Sequence, residues 1–386
     1  MKVMLSYNYY KSFRKVFVLN FKFIKLITAL SLSISFLSGD ELDKKIGSML
    51  MVGFVGTSAS PSSQICRDIA KYDLNGVILF DYNPVDKDKP KNIVSKEQAA
   101  VIAKELQACS PNHNLLISAD QEGGKVQRLK SNRGFYGKFP SAASVADMDD
   151  EQTKRIYRSM AKELINAGFN YDLAPVVDLA LNKDNYIIYK LGRSYGKDPV
   201  KVSHKANLFI DEMHKEGVLT SLKHFPGHGS SLGDTHKGYV DVTNTWSEIE
   251  LEPYKLLSNK ADSVMVAHVF NAKLDPDHPA SLSHATITKL LRWKLGYKGV
   301  VITDDLQMGA ITKKYTLRET IKLAIKAGND ILLFGNQLHP KNAVTPKMYV
   351  EIVKDLLAKK EISMDEINKA HERVQKLRAK LKGSNA

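Results

Sequence analysis

Short apolar runs alternate with longer amphipathic stretches along the chain from residue 41 onward. Runs of about four to eight β-branched and aliphatic residues are typical of buried strands, whereas apolar residues spaced three and four apart predict helices. Several of the amphipathic stretches end in glycine, as helices commonly do. Eight runs have strand character, and they lie at residues 49–54, 76–80, 114–120, 171–179, 218–225, 263–269, 299–305 and 330–335.

This alternation predicts a single (β/α)8 barrel of the TIM type. Eight parallel strands with a helix after each are sufficient to close such a barrel, and a chain of 386 residues is long enough for it. An open doubly wound sheet is the alternative that the same alternation allows. The amphipathic segment from about Tyr349 to the end predicts two terminal helices on the outside of the barrel.

The first 39 residues have the pattern of a leader. Six basic residues precede the first acidic residue, Asp40, and an uncharged apolar segment occupies residues 26–39. This order predicts a secretory signal peptide, with an uncleaved membrane anchor as the alternative. We therefore expect a boundary between residues 1–39 and a catalytic domain of residues 40–386. We also expect a periplasmic or secreted protein with no stable membrane span after processing, and a cytoplasmic protein is the alternative.

Composition and charge exclude few classes of protein. The chain is 43% hydrophobic and 25% charged, which is an ordinary balance for a globular protein. The formal net charge is +14, and the part that follows the leader carries +8. A mildly basic surface suits an anionic polymer, but no basic run with interleaved aromatic residues indicates a nucleic-acid partner. Cys66 and Cys109 are compatible with one disulfide and equally with two buried thiols.

The fifth apolar run passes into the stretch KHFPGHGSSLGDTH at residues 223–236. Its three glycines and one proline exclude a regular helix and predict a long loop at a strand end, where the chemistry of a barrel gathers. As a metal site the loop would offer His224, His228, Asp234 and His236. As an acid/base device it would use Asp234 to orient the imidazole of His236. A phosphate-binding loop and a solvated loop without a role are the other interpretations.

Two adjacent aspartates, Asp304 and Asp305, end the seventh run. Neighbouring side chains on a strand point to opposite faces, so only one of them is expected to face the site. A carboxylate at that place suits a covalent nucleophile toward an anomeric carbon, and capping of the following helix is the structural alternative. We expect the second aspartate to cap or orient, and His268 on the sixth run to form hydrogen bonds at the barrel mouth.

Five motifs together resemble glycoside hydrolase family 3, specifically its bacterial β-N-acetylglucosaminidases. They occur in chain order between about residues 44 and 340. The motifs are DQEGGKVQR (120–128), LGRSYGKDP (191–199), KHFPGHG (223–229), GDTH (233–236) and ITDDLQM (302–308). Where many relatives have an arginine in the first motif, this chain has Lys125.

The resemblance implies a retaining enzyme that removes terminal β-linked N-acetylglucosamine from peptidoglycan fragments or other glycans, without metal or cofactor. It implies Asp304 as the nucleophile and His236, assisted by Asp234, as the general acid/base. It also implies a set of residues that hold the sugar hydroxyls, namely Asp120, Arg128, Arg193, Lys223 and His224. Gln121 and Glu122 are expected only to shape the turn after the third strand, and His228 to shape its loop.

Three other functions stay open at the level of the sequence. One is a β-glucosidase or β-xylosidase of the same family, against which KHFPGHG and GDTH argue. Another is a wall-fragment-binding protein without catalysis, against which the intact Asp304, Asp234 and His236 argue. The last is a metallohydrolase that uses the three histidines of the loop.

Overall fold

The computed structural model describes residues 39–86, 88–338 and 340–381. By its contacts the chain divides into residues 1–42 and a compact unit of residues 43–386. The predicted leader lies outside the described residues except for Gly39, which begins the first helix. Within the described residues, no helix combines the length and the apolar character that crossing a membrane requires.

Eight short parallel strands form the centre of the compact unit. Each predicted run contains one of them, and their bounds are β1 Leu50–Val52, β2 Gly76–Ile78, β3 Leu116–Ala119, β4 Tyr171–Asp172, β5 Leu219–Phe225, β6 Ser263–Val266, β7 Val300–Thr303 and β8 Leu332–Phe334. They pair in the order β7-β6-β5-β4-β3-β2-β1-β8. A parallel bridge between Ile302 and Ile331 joins the two ends of this order. The barrel prediction is therefore confirmed, and the open doubly wound sheet is excluded.

Helices connect the strands. Their bounds are α1 Gly39–Gly47, α2 Gln64–Tyr72, α3 Lys96–Cys109, α4 Ala142–Val145, α5 Asp150–Asn166, α6 Pro199–Lys215, α7 Glu252–Leu257, α8 Gly309–Thr312, α9 Leu317–Ala327, α10 Pro346–Ala358 and α11 Met364–Ala379. Two π-helical segments, Tyr186–Lys190 and Ala285–Lys294, and four 3-10 segments, Ser131–Arg133, Glu248–Leu251, Ala280–Leu282 and Pro340–Asn342, complete the described helical structure. The two predicted terminal helices are α10 and α11.

Strand β4 is much shorter than the run of residues 171–179 that predicts it. Pro175 has no amide hydrogen and cannot donate to the ladder, which limits regular pairing at this place. Pairing with β5 resumes at an isolated bridge between Val176 and Lys223. The remainder of the run brings Asp178 beside the end of β5, where it contacts His224.

The last helix, α11, closes the amino-terminal end of the barrel. Val374 and Leu377 belong to the same buried cluster as the side chains that fill the barrel interior. Three cations of the C-terminal region form ion pairs with aspartates that precede strands β8, β2 and β6: Arg373 with Asp330, Arg378 with Asp73, and Lys380 with Asp262. The interior is thus sealed at the end opposite to the one where the predicted site residues lie.

A disulfide joins Cys66 of α2 to Cys109 of α3, with 5.1 Å between the Cα atoms. Both cysteines are buried. The question that the sequence left open is therefore answered in favour of the bridge.

Candidate active site

A cavity of about 270 Å³ opens at the carboxyl ends of the strands. Seven of the eight predicted site residues line it, and they are Asp120, Arg128, Arg193, Lys223, His224, His236 and Asp304. The eighth, Asp234, forms a hydrogen bond with His236. The structure therefore brings together side chains from the ends of β3, β5 and β7 and from the loops between them.

A network of buried ion pairs forms one wall of the cavity. The Lys223 ammonium lies 2.9 Å from Asp120 Oδ1 and 2.7 Å from Glu122 Oε1, and Arg128 Nη2 lies 3.0 Å from Asp120 Oδ2. Arg193 donates to both oxygens of Glu122, each at 2.7 Å. Burial alone would raise the pKa of the Asp120 carboxyl, but the nearby cations hold it well below its usual range. This wall offers charged donors and acceptors in fixed positions.

Glu122 is the site residue that the sequence interpretation missed. It was expected to shape the turn after β3, but the structure places its carboxylate between Arg193 and Lys223 on the cavity wall. Gln121 has the expected turn role, since its side-chain oxygen accepts from the amides of Arg128 and Leu129. The position of Glu122 two residues after Asp120, in the same motif, was the available signal.

Replacing Glu122 with alanine is expected to lower the free energy of unfolding by about 3–5 kcal/mol, because it removes the carboxylate partner of Arg193 and one of the two carboxylate partners of Lys223. The matched control is Glu151→Ala, which breaks an exposed pair with Lys154 and is expected to cost at most about 1 kcal/mol. Urea denaturation at pH 7 measures both values. Equal losses for the two variants would contradict the prediction.

The pH dependence of this contribution follows from the pKa of Glu122. Burial would raise that pKa, but Arg193 and Lys223 lower it from 4.5 to about 2. A depressed folded-state pKa means that the contribution is complete above pH 4.5 and is lost as the pH falls toward 2. The stability difference between wild type and Glu122→Ala should therefore shrink over that acidic range.

His224 is held in one tautomer. Its Nδ1 lies 2.7 Å from Asp178 Oδ2, and its Nε2 lies 3.4 Å from Arg193 Nη2. Because a guanidinium only donates, Nε2 accepts and Nδ1–H donates to Asp178. Asp178 also accepts the amide of His228. The sequence placed Asp178 at a strand end but assigned it no role in the site.

Asp234 and His236 form the expected dyad on the loop after β5. Asp234 Oδ1 lies 2.8 Å from His236 Nδ1 and also accepts the His236 amide at 3.0 Å. Nδ1–H therefore donates to the carboxylate, so Nε2 is the ring nitrogen left for a partner in the cavity. The His236 side chain is 50% exposed, whereas the Asp234 side chain is 20% exposed.

Hydrogen bonds hold the loop that carries the dyad both near His228 and at His236. The side-chain amide of Asn185 donates to the His228 carbonyl and to Ser231 Oγ. His228 Nδ1 contacts the same Ser231 hydroxyl at 2.7 Å, which agrees with its expected role in shaping the loop. Further along, the amide of Gly309 donates to the His236 carbonyl. Gly309 begins α8, and Asp304 lies in the connection between β7 and α8. This hydrogen bond therefore ties the loop to the segment that carries Asp304.

Asp304 lies on the cavity wall and is partly buried. Its Oδ1 accepts the amide of Asp305 at 2.8 Å. Burial would raise the pKa of the Asp304 carboxyl, but His268, His224 and His236 lower it below its usual value. The carboxylate is therefore ionised at neutral pH in a place that a bound molecule can reach.

Asp305 orients the turn after β7, as expected. Its Oδ1 accepts the amides of Gln307 and Gly335, and its carbonyl lies 2.9 Å from His268 Nε2. Because a carbonyl only accepts, Nε2 of His268 carries the proton and Nδ1 of a neutral ring accepts from the Ser281 hydroxyl at 2.7 Å. His268 thus has the predicted hydrogen-bonding role at the barrel mouth.

The histidines of the loop after β5 do not form a metal centre. His224 contacts Asp178, and His236 contacts Asp234. In the part of the chain that the structure describes, the only group of three or more acidic or histidine side chains with ligand atoms close enough for a metal is Asp275, Asp277 and His278. None of these three lines the cavity, and the metal-site interpretation of the loop is not supported by the arrangement.

Comparison with known proteins agrees with the fold and gives the family. The family described as "Glycosyl hydrolase family 3 N terminal domain" matches residues 41–377. Beta-hexosaminidase A of Pseudoalteromonas piscicida is 28% identical over 88% of this chain and 61% of its own length. Beta-hexosaminidase of Idiomarina loihiensis is 31% identical over 74% of this chain and 83% of its own length.

A solved structure is similar over most of the chain. The glycoside hydrolase family 3 beta-N-acetylglucosaminidase from Paenibacillus sp. has a TM-score of 0.78 and 30% sequence identity, covering 91% of this chain. This chain spans 64% of the length of that protein. The barrel is thus shared with a glycoside hydrolase family 3 structure. The chain belongs to glycosyl hydrolase family 3, which confirms the resemblance that the five motifs carry.

Proposed function

We propose that this protein is a retaining exo-β-N-acetylglucosaminidase, with Asp304 as the nucleophile and His236 as the general acid/base. The observation that carries the proposal is the presence, in one cavity, of the carboxylate of Asp304, whose pKa lies below its usual value, and of an imidazole oriented by Asp234. The relatives named beta-hexosaminidase and the similar beta-N-acetylglucosaminidase structure support the sugar class.

The first step forms a covalent intermediate. Asp304 attacks the anomeric carbon of the sugar as the bond from that carbon to the leaving-group oxygen breaks. The protonated ring of His236 gives its Nε2 proton to the departing oxygen, so the leaving group departs as a neutral alcohol. The carboxylate of Asp234 stabilises the imidazolium before this transfer and keeps the Nδ1 proton in place.

The second step returns the enzyme to its starting state. Water attacks the anomeric carbon while Nε2 of His236, now neutral, accepts a proton from that water. The bond between the sugar and Asp304 breaks, and the carboxylate is regenerated. Two inversions at the anomeric carbon give net retention of configuration.

A histidine suits this acid/base role because its unperturbed pKa is about 6.5. A carboxylic acid in the same role needs its pKa raised by several units to donate a proton at neutral pH. Neutral imidazole also adds no negative charge beside the ester of Asp304 when the water must be deprotonated. The compensating charge of Asp234 lies on the far side of the ring.

The ion-pair wall supplies sugar recognition in this proposal. Asp120 and Glu122 offer acceptor oxygens, whereas Arg128, Arg193 and Lys223 offer donors, and all five side chains line the cavity. His224 is a sixth candidate, since its ring is fixed by Asp178. Buried, already paired groups are preorganised, so binding a hydroxyl requires little rearrangement. Lys125, the departure from the common motif, is exposed and does not line the cavity.

We further propose that the substrate is a peptidoglycan fragment and that the protein acts in the periplasm or outside the cell. The basic charge of the part that follows the leader suits the anionic carboxylates of wall peptides. The disulfide between Cys66 and Cys109 supports an oxidising compartment. Separating periplasm from cytosol and determining the N-terminal sequence of the recovered protein tests the location, and recovery from the cytosol would refute it.

A comparison of chromogenic substrates tests the activity. The purified protein should hydrolyse a 4-nitrophenyl β-N-acetylglucosaminide at least about tenfold faster, as kcat/KM, than the matching β-glucoside or β-xyloside. NMR of the first product should show the β-anomer. Muropeptides should lose N-acetylglucosamine in mass spectra, whereas a binding protein would retain them unchanged. Loss of activity after exhaustive EDTA treatment would favour the metallohydrolase instead.

A further inference from the structure

A buried lysine behind the cavity belongs to no motif and has no role in the proposed chemistry. Lys91 lies in the connection between β2 and α3, and its side chain is fully buried. Its ammonium donates to the carbonyls of Gly335 and Asn336, at 2.9 and 2.8 Å, and to Gln337 Oε1 at 3.0 Å. Three acceptors use all three donors that a lysine ammonium has.

A charged lysine in this place needs a reason, because burial is costly for a cation. Burial lowers the pKa of Lys91 to about 7, although the charge of Asp305 opposes this shift. The ammonium also lies 4.6 Å from the centroid of the Phe80 ring, which favours a cation. An uncharged side chain would fill the same volume with a smaller desolvation penalty. The three hydrogen bonds of the ammonium are what offset that penalty for Lys91.

The segment that Lys91 holds, residues 335–337, is tied on its other side to the turn after β7. The Gly335 amide donates to Asp305 Oδ1 at 3.1 Å. Gln307 and Asn336 exchange two hydrogen bonds, one of 2.6 Å from the Asn336 amide and one of 3.0 Å to Asn336 Oδ1. Gly335 and Gln337 also line the cavity.

Asp305 connects this segment to the carboxylate of Asp304. Its amide donates to Asp304 Oδ1, and its own side chain receives the Gly335 amide. We infer that Lys91 is a positioning residue, whose buried ammonium fixes residues 335–337 and, through Asp305, the attacking carboxylate of Asp304. This inference rests on the proposed function, since it takes Asp304 as the nucleophile.

Replacing Lys91 with methionine keeps the chain length and removes the charge and donors. We expect kcat for the β-N-acetylglucosaminide to fall by about 10- to 100-fold, because a small misplacement of a reacting group has effects of that size. KM should stay within about threefold of wild type, because Lys91 contacts none of the proposed sugar-binding side chains.

The matched control is Lys205→Met. Lys205 is also buried, and it donates to three oxygens, on Met148, Asp150 and Thr153, but it does not line the cavity. Both variants should lose stability, which thermal unfolding measures, but only Lys91→Met should lose kcat. If wild type and Lys205→Met are both inactive, the proposed function fails; if both are active and Lys91→Met matches them, the positioning inference fails.

A double-mutant cycle tests the route through Asp305. Adding Lys91→Met to Asp305→Ala should lower kcat by less than about threefold further, since both changes interrupt one connection. If the kcat losses of the two single variants multiply in the double variant, the inference is wrong. Should Lys91→Met not fold, Gly335→Ala decides, because a Cβ there would lie 2.6 Å from Asp305 Oδ2 and disturb the same connection. Unchanged kcat in that variant would also overturn it.

Discussion

Asp304→Ala is expected to lower kcat/KM for a β-N-acetylglucosaminide by at least about 10⁴-fold, because no other group can form the covalent intermediate. The carboxylate is partly buried, ionised and held by the Asp305 amide on the cavity wall. Removing it leaves the general acid in place but provides nothing that can bond to the anomeric carbon. Steady-state turnover of the 4-nitrophenyl glycoside, normalised to the concentration of folded protein, measures the loss.

Asp304→Asn is the control for folding, since asparagine keeps the volume and an oxygen that accepts the Asp305 amide. It should unfold at nearly the wild-type temperature and be equally inactive. A fluorinated sugar that traps the intermediate should add its mass to the wild-type peptide that contains Asp304. An adduct on another side chain, or wild-type turnover by the alanine variant, would disprove the assignment of the nucleophile.

His236→Ala is expected to lower kcat by about 10²- to 10⁴-fold on substrates with poor leaving groups, which is the usual contribution of a general acid/base. The formation of the intermediate should suffer less with a 2,4-dinitrophenyl glycoside, because that leaving group departs without protonation. Breakdown of the covalent intermediate still requires a base that deprotonates the attacking water. Added azide, an anion that needs no deprotonation, should restore turnover and yield the β-glycosyl azide.

His204→Ala is the matched control for His236→Ala. His204 forms a comparable pair with Asp150 at 2.8 Å, and its side chain is 51% exposed, close to the 50% of His236. It does not line the cavity, so its loss should leave kcat unchanged. A His236→Ala variant that keeps wild-type kcat on poor leaving groups, or that azide does not rescue, would exclude the acid/base role.

The periodicity of the sequence was enough to locate all eight strands, because each is a short apolar run, but closure into a barrel is shown only by the bridge between Ile302 and Ile331. The limits of β4 were not predictable in the same way. Pro175 falls within an apolar run, and only the three-dimensional pairing shows that Val176 meets Lys223 again as an isolated bridge.

The site was predictable where residues lie in compact motifs and not where they act through distant partners. Glu122 and Arg193 are 71 positions apart, and Asp178 and His224 are 46 apart. Lys91 contacts residues 244 to 246 positions away. No local pattern reports such pairings, since they depend on how the barrel brings strand ends together. The disulfide was undecidable for the same reason.

The ion pairs of Arg373, Arg378 and Lys380 hold the last described part of the chain against the amino-terminal end of the barrel. The side chains of these ion pairs do not line the cavity, so substitutions in the cavity loops leave this end of the barrel unchanged. A nonsense mutation at residue 364, where α11 begins, would have the opposite outcome. It would keep every residue that we propose to contact the sugar, and yet it would expose the apolar interior to water at the amino-terminal end of the barrel.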